Sequence, residues 1–227
     1  ADFNYGFSEE KFRTTGFFST RLDTKTNSLL TLNGGSKVEQ FNANNPISNL
    51  INTASSIFFE DNYMKLYEKN YIAANFSREM FNGLNMSLGL EYSERKPLFN
   101  TTDYSIIKSD DLYTSNNPLL PFDYTTSAIE RHNLVKLNVG ARIKFGQEYI
   151  TRPDGKYNLG NNKYPTLSLN YEKGFGGSED NYNYDKISAR VNYDVTMGNK
   201  GEIAINSKAG KFFNADTISF VDFKHFN

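Results

Sequence analysis

The chain has 227 residues, with 25 lysines and arginines against 26 aspartates and glutamates and no cysteine. This nearly balanced charge gives no sign of nucleic acid binding, and the absence of cysteine excludes disulfides, thiolate metal sites and cysteine nucleophiles. The mean hydropathy is −0.61, and the sequence contains no apolar run of the roughly 18 residues that a membrane-spanning helix needs. No break in composition divides the chain, so we expect one domain over residues 1–227.

The first third of the chain predicts strands separated by polar turns. Residues 13–22 are predicted to form a first strand, and Gly34-Gly35 is expected to bend the next one. Residues 51–59 are predicted to form a further strand. The Asn82-Gly83 pair is the strongest hairpin signal in the chain, and it predicts that strands at 71–78 and 84–95 pair with each other.

A long polar stretch follows at residues 96–127, with prolines at 97, 118 and 121. A loop of this length is unusual inside a soluble domain but is typical of the extracellular loops of outer-membrane barrels. Long and short connections alternate along the chain. We therefore place residues 96–127 and 176–183 outside the cell, and residues 81–83 and 198–200 on the periplasmic side.

The second half of the chain contains the clearest pattern, the run from Leu134 to Phe145. Apolar side chains occupy every second position of this run, and lysine, asparagine, glycine and arginine occupy the others. Twelve residues extend about 40 Å, which suits a tilted membrane-spanning strand. Similar alternation occurs at 72–77, 85–92, 166–172 and 186–193, and strands are also predicted at 201–212 and 218–226.

This alternation predicts an all-β protein, an antiparallel transmembrane β-barrel or a portion of a larger one. We count about ten strands, an even number that could close a small barrel, and a larger barrel is equally acceptable. The polar positions would then face the lumen. The candidate lumen-facing residues are Lys136, Asn138, Arg142, Lys144, Glu172 and Arg190. The alternative is that these cations, together with Lys186, pair across strands with Glu91, Glu172 and Glu202.

Aromatic residues make up 15% of the chain, and many flank the alternating runs. They suit the aromatic girdles of a membrane barrel, although a sandwich core and its turns would also use them. The tyrosines proposed for a girdle are Tyr63, Tyr67, Tyr71, Tyr92, Tyr149, Tyr164, Tyr182 and Tyr184.

The sequence predicts no catalytic, cofactor-binding or metal-binding residues. The only histidines are His132 and His225. Asp222 and His225 are close in sequence, but on the strand predicted at 218–226 their odd separation would place them on opposite faces. No serine or second carboxylate accompanies them as in a catalytic triad.

Several short segments of the sequence resemble those of one known family. They lie at residues 41–42, 46–47, 62–68, 91–104, 163–167, 171–174, 184–186, 209–212 and 220–227. In this order and spacing they resemble Bacteroidota outer-membrane proteins of unknown function that carry a carboxypeptidase-regulatory-like domain ahead of a C-terminal β-barrel. The resemblance implies an outer-membrane barrel without catalytic residues, because the family name refers to a small β-sandwich. It also implies that this chain, which lacks that domain, is an internal piece of a longer protein.

We therefore expect a non-enzymatic protein of the bacterial outer membrane, a transport or assembly component within a larger envelope complex. Its expected partners are outer-membrane lipid and lipopolysaccharide, together with other outer-membrane proteins or surface lipoproteins, and no nucleic acid or cofactor. One alternative is a nutrient-import barrel like the TonB-dependent receptors, although the plug domain and energy-coupling box of those receptors are missing here. Another alternative is a soluble β-sandwich that binds glycan through its tyrosine-rich loops.

Overall fold

Nine antiparallel strands form one large sheet in the computed structural model, which describes residues 1–7, 9–107, 113–160, 163–177 and 182–224. A separate two-stranded hairpin lies between the sixth and seventh strands of the sheet. The strands are β1 Asp2–Gly6, β2 Lys11–Asp23, β3 Ser28–Gln40, β4 Leu66–Phe81, β5 Leu84–Pro97, β6 His132–Lys144, β7 Tyr149–Arg152, β8 Gly155–Asn158, β9 Thr166–Gly176, β10 Tyr184–Thr196 and β11 Glu202–Phe213.

Each strand of the large sheet pairs with its neighbour in sequence, in the order β1-β2-β3-β4-β5-β6-β9-β10-β11, and β7 pairs with β8. The prediction of an all-β antiparallel fold is confirmed. The sheet is open, because β1 and β11 are not paired with each other in the described part of the chain. About ten strands were expected, and the described residues form eleven when the β7–β8 hairpin is included.

The predicted Asn82-Gly83 hairpin joins β4 to β5. Gly83 has φ of +82°, and a Cβ atom at this position would lie 2.3 Å from the carbonyl oxygen of Lys144. The turn therefore needs glycine both for its backbone conformation and for its close contact with the end of β6.

The connections divide between two ends of the sheet. The long-loop end carries the connections at 41–65, 98–131 and 177–183, and the hairpin end carries those at 24–27, 82–83, 145–165 and 197–201. The two segments predicted outside the cell thus share one end and the two predicted inside share the other, although residues 178–181 lie outside the described residues. The side of a membrane that each end faces stays a prediction.

The prediction of a strand at residues 51–59 is wrong. Residues Asn49–Phe59 form helix α1, whose first turn is capped by the Ser48 hydroxyl accepting a hydrogen bond of 3.3 Å from the Ile51 amide. Leu50, Ala54, Ile57 and Phe58 follow a helical period that a search for alternation overlooks. No helix in the described ranges is long and apolar enough to cross a membrane.

The strand predicted at 218–226 is also wrong. Residues Phe220–Asp222 form a short 3₁₀ turn, and His225 lies outside the described residues. This turn packs Val221 into a small buried cluster with Phe41, Tyr67 and Ile129 at the long-loop end. The segment after β11 therefore folds back over the sheet.

The register gives the sheet one apolar face and one polar face. We call the apolar face the side that carries Ile72 and Leu90, and the polar face the other side. Paired residues form continuous rows across the apolar face. One such row consists of Phe76, Leu88, Val139, Tyr171 and Ile187.

Candidate functional site

The six residues proposed to face a lumen all lie on the polar face. Asn138 of β6 pairs with Glu172 of β9, and Arg142 of β6 lies opposite Ser168, which in turn lies opposite Arg190 of β10. Lys136 and Lys144 occupy the same side of β6 as these residues because they are separated from them by even numbers of positions. The register therefore places all six on one face, and the exposure of that face to a lumen stays a prediction.

Asp222 forms a buried ion-pair cluster with two cations on this face. Arg95 of β5 donates to both carboxylate oxygens of Asp222, at 2.5 Å from Nη1 and 3.0 Å from Nη2. The Lys136 ammonium lies 2.6 Å from Oδ1 of the same carboxylate. Both the Arg95 and the Asp222 side chains are almost fully buried. The 3₁₀ turn after β11 is thus fixed to the central strands β5 and β6, near their long-loop ends, by charge as well as by apolar contact.

The electrostatics of this cluster favour an ionised carboxylate. Burial alone would raise the pKa of Asp222, because it penalises the charged form. The adjacent positive charges of Arg95 and Lys136 outweigh this effect and hold the pKa of Asp222 below its usual range. The bidentate contact of Arg95 also leaves the carboxylate with few free lone pairs.

A second carboxylate extends the cluster along β9 and β10. The Tyr184 hydroxyl lies 2.8 Å from Oε1 of Glu172 and 3.3 Å from Oδ1 of Asp222, and Lys186 pairs with Glu172 at 2.7 Å. The Tyr184 ring lies directly over Gly174, where a Cβ atom would be 2.4 Å from Cε1 of the ring. Gly174 therefore creates the space in which Tyr184 links the two carboxylates.

Arg95, Asp222 and Tyr184 were not predicted to belong to this site. Asp222 was assigned to a strand, and Tyr184 to a girdle. One signal in the sequence could have found Asp222, because a single carboxylate within the apolar run Phe220-Val221-Asp222-Phe223 requires a buried cation. No comparable signal identifies Arg95, which looks like any other polar-face residue.

The proposed cross-strand pairing with Glu91, Glu172 and Glu202 holds for one cation, because Lys186 pairs with Glu172. Lys136 pairs with Asp222 instead, and Glu91 pairs at 2.8 Å with Lys69, which was not among the proposed cations. Within the described ranges, no ion pair is found for Glu202 or for the three remaining cations, Arg142, Lys144 and Arg190, whose side chains are exposed.

The girdle interpretation fails for three of the eight tyrosines. Tyr67 and Tyr184 are buried on the polar face, and the Tyr71 ring lies 4.8 Å from the Lys37 ammonium and 5.0 Å from that of Lys69 on the same face. The reason is strand parity. These residues lie near strand ends, as girdle residues do, but their side chains point to the polar side of the sheet.

His132 sits at the start of β6, near the long-loop end. Its Nδ1 atom lies 2.8 Å from the Glu130 carbonyl oxygen, and its ring stacks on Tyr182 at 4.0 Å between centroids. No group of three histidines, aspartates or glutamates that could hold a metal ion is found among the residues that the structure describes. The loops at this end enclose a cavity of about 40 Å³ beside Phe41, Pro97 and Asn117. A space of this size holds a water molecule rather than an organic ligand.

Comparison with known proteins gives one match. A model described as "Family of unknown function (DUF5686) C-terminal domain" matches residues 1–227, the whole length of the chain. No curated protein and no solved structure matches the chain.

Proposed function

The chain belongs to the DUF5686 family of unknown function, as its C-terminal domain, and we propose that it is a membrane-spanning sheet of the bacterial outer membrane. The sheet forms part or all of a β-barrel. The protein acts there as a non-enzymatic transport or assembly component of a larger envelope complex.

The observation that carries this proposal is the bare apolar face. The exposed fractions of the Ile72, Leu90 and Ile187 side chains are 67%, 53% and 51%, although all three lie within long strands of the sheet. Nothing in the described part of the chain covers this face. Soluble proteins rarely leave so large an apolar surface in water, whereas lipid covers such a face without cost.

Strand length supports a membrane location. The strands from β2 onward in the large sheet have between 11 and 16 residues. Soluble strands usually have about 5–6 residues, and a tilted strand needs about 9–11 to cross a bilayer. The residues beyond this minimum extend past the hydrocarbon layer at both ends.

The register also supports a curved, barrel-like sheet. A line of directly paired residues that starts at the last residue of β11 reaches the middle of β2, and β1 pairs only with an earlier part of β2. Such a steady stagger between strands is required when a sheet closes into a barrel. The line runs through Phe213, Asp185, Lys173, Leu137, Leu90, Ala74, Leu32 and Phe18.

The contents of the polar face favour a component that works with partners over a freely open channel. Asp222 and the cluster of Phe41, Tyr67, Ile129 and Val221 cover this face at the long-loop end. The edge strands β1 and β11 offer unpaired backbone groups to other outer-membrane proteins or to further strands. Outer-membrane lipid and lipopolysaccharide would contact the apolar face.

A pair of substitutions on neighbouring strands tests the proposal. Leu90→Lys places a charge on the apolar face, opposite Leu137, and a charge in the middle of a bilayer costs about 2–4 kcal/mol. We expect this variant to fail to assemble in the outer membrane. The matched control, Asn138→Lys, adds the same charge to the polar face opposite Glu172 and should assemble normally.

Assembly is measured by recovery in the outer-membrane fraction and by a change in gel migration when the detergent extract is boiled. Recovery of the wild-type protein in the soluble fraction would contradict the proposal and favour the glycan-binding β-sandwich. Normal assembly of Leu90→Lys would show that the apolar face does not contact lipid.

A further inference from the structure

The cations of the polar face form two groups with different surroundings. At the long-loop end, Lys69, Arg95, Lys136 and Lys186 each pair with a carboxylate. On β6, β10 and β11, four further cations of this face have neither an ion pair nor a side-chain hydrogen bond within the described residues, namely Arg142, Lys144, Arg190 and Lys208. Arg142, Arg190 and Lys208 lie in one row of paired residues, which we call the basic row, and Lys144 lies two positions further along β6.

The basic row is arranged across four neighbouring strands. Arg142 of β6 lies opposite Ser168 of β9, Ser168 lies opposite Arg190 of β10, and Arg190 lies opposite Lys208 of β11. Neighbouring strands are about 4.8 Å apart, so the two arginines are separated by roughly 10 Å with the Ser168 hydroxyl between them. Both guanidinium groups can therefore reach one ligand above Ser168.

Carboxylates are distant from the basic row on these strands. Asp194 is four residues from Arg190, and Glu172 is four residues from Ser168, which corresponds to about 13 Å along an extended strand. The next row toward the hairpin end contains no carboxylate and consists of Lys144, Thr166, Asn192 and Asn206. Because Arg190 and Lys208 are like charges directly opposite each other, the row is destabilising in the absence of an anion.

Small side chains leave room beside the basic row. The row that separates it from the Glu172 and Lys186 pair contains Gly140, Asn170, Ser188 and Gly210. None of these four residues has a charged or bulky side chain, so a ligand can approach the arginines from this side without displacing a large side chain.

We propose that Arg142, Ser168 and Arg190 bind a phosphate group of a phosphorylated ligand, with Lys208 positioned to contact a second phosphate. Guanidinium groups form paired hydrogen bonds with phosphate oxygens, and a serine hydroxyl donates a third. The argument uses only the register and charges of the polar face, so it does not depend on the membrane proposal.

Calorimetric titration of the purified full-length protein with inorganic pyrophosphate tests this site. The titration is done at low ionic strength, in detergent or in buffer, whichever keeps the protein dispersed. We expect saturable binding that weakens as salt is added, because exposed charges are screened. The double variant Arg142→Gln/Arg190→Gln should weaken binding by about tenfold or more, because two charge-assisted contacts are lost.

The matched control is Arg21→Gln/Lys25→Gln, which removes two exposed cations at and beyond the end of β2, on a different strand from the basic row, and changes the net charge equally. It should bind pyrophosphate as the wild type does. Ser168→Ala leaves the charge unchanged and should weaken binding several-fold. Circular dichroism shows whether each variant keeps its strand content.

Two results would overturn the proposal. One is a folded wild-type protein that does not bind pyrophosphate in this titration. The other is an equal loss of affinity in both double variants, which would indicate attraction by the overall charge of the protein and not by a defined site.

Discussion

Asp222 and its two cations show how a charged residue comes to be buried in this fold. A carboxylate removed from water is stable only when ion pairs and hydrogen bonds replace its hydration. Arg95 and Lys136 supply these contacts from neighbouring strands, and the Tyr184 hydroxyl lies 3.3 Å from the same carboxylate. The C-terminal segment is therefore held at one particular position on the sheet.

Asp222→Asn should destabilise the fold strongly. The substitution leaves Arg95 buried without a counter-ion, and breaking a buried pair in this way costs about 3–5 kcal/mol. The free energy of unfolding in urea measures the loss. The control is Asp216→Asn in the same segment, because Asp216 is exposed and its substitution should change stability little. Equal stability of the two variants would show that the Asp222 cluster contributes nothing to the fold.

The stability provided by Asp222 should also depend on pH. Burial pushes its pKa up, but Arg95 and Lys136 hold it below the ordinary value of 3.8 in the folded chain. Because the unfolded carboxyl keeps its ordinary pKa, the contribution is complete above about pH 4 and is lost as the pH falls through the lower folded-state value. The free energy of unfolding of the wild type in urea should therefore fall more steeply below about pH 4 than that of Asp222→Asn. Parallel pH profiles for the two proteins would contradict this account.

Gly174 is a residue whose importance comes from its neighbour. In Gly174→Ala the new methyl group would overlap the Tyr184 ring, so the ring must move away from Glu172 and Asp222. We expect a loss of about 1–3 kcal/mol in the free energy of unfolding. The control is Gly16→Ala in β2, where a Cβ atom meets nothing within 4 Å. A loss in the control as large as that in Gly174→Ala would locate the effect in glycine flexibility instead of in the ring contact.

At the scale of elements, the helix α1 shows how a local hydrogen bond selects between two structures for one sequence. Its apolar residues could suit a strand or a helix, and the Ser48 cap together with the left-handed Glu60 defines where the helix begins and ends. The helix has no buried side chain. Its stability therefore depends on its ends and on helix propensity more than on packing.

Ser48→Ala should loosen this helix selectively. Loss of the cap costs about 1 kcal/mol, which should appear as faster amide hydrogen exchange over residues 49–59 while the sheet is unchanged. Thr53→Ala is a control of opposite sign, because Thr53 is exposed within the helix and alanine has the higher helix propensity. Slower exchange in Thr53→Ala and faster exchange in Ser48→Ala would establish that helix propensity and capping maintain α1.

The sequence was sufficient for those elements whose structure follows from alternation. The strand from Leu134 to Phe145, the Asn82-Gly83 hairpin and the assignment of Arg142 and Glu172 to one face depend only on a period of two and on local turn chemistry. Helix α1 and the turn at Phe220–Asp222 were missed. The helix depends on a cap that alternation ignores, and the turn depends on contacts with strands far away in sequence.

The partners of individual charges could not be predicted for the same reason. Lys136 pairs with Asp222, 86 positions later in the numbering, and no local pattern links the two. Across adjacent strands, by contrast, the pairing of Lys186 with Glu172 follows from the register once the strands are aligned. Periodicity thus determines the face on which a side chain lies, and tertiary folding determines its neighbour there.

At the scale of the whole molecule, the two faces of the sheet should differ in their access to water. The chain has no cysteine, so single cysteines report on one position each. Ser87 and Leu88 are adjacent in β5, and both side chains are exposed in the structure. If lipid covers the apolar face, a membrane-impermeant maleimide should label Ser87→Cys but not Leu88→Cys in intact membranes.

Detergent-free unfolding provides the control, because both cysteines should react when the chain is unfolded in urea. Labelling of both variants in folded protein would place both faces in water and favour the soluble β-sandwich. Labelling of neither would mean that the polar face is also closed to solvent at this position.

The pairing order of the sheet has a consequence for how the chain reaches its structure. Every strand of the large sheet pairs with the strand before it in sequence, apart from the β7–β8 hairpin inserted between β6 and β9. Such contacts close short loops, so the sheet can grow hairpin by hairpin as successive strands are delivered. The contact between Arg95 and Asp222 joins residues that are 127 positions apart, and it can form only when β5 is already in place. The C-terminal turn can therefore dock only after the centre of the sheet has formed, which makes its docking a late event in folding.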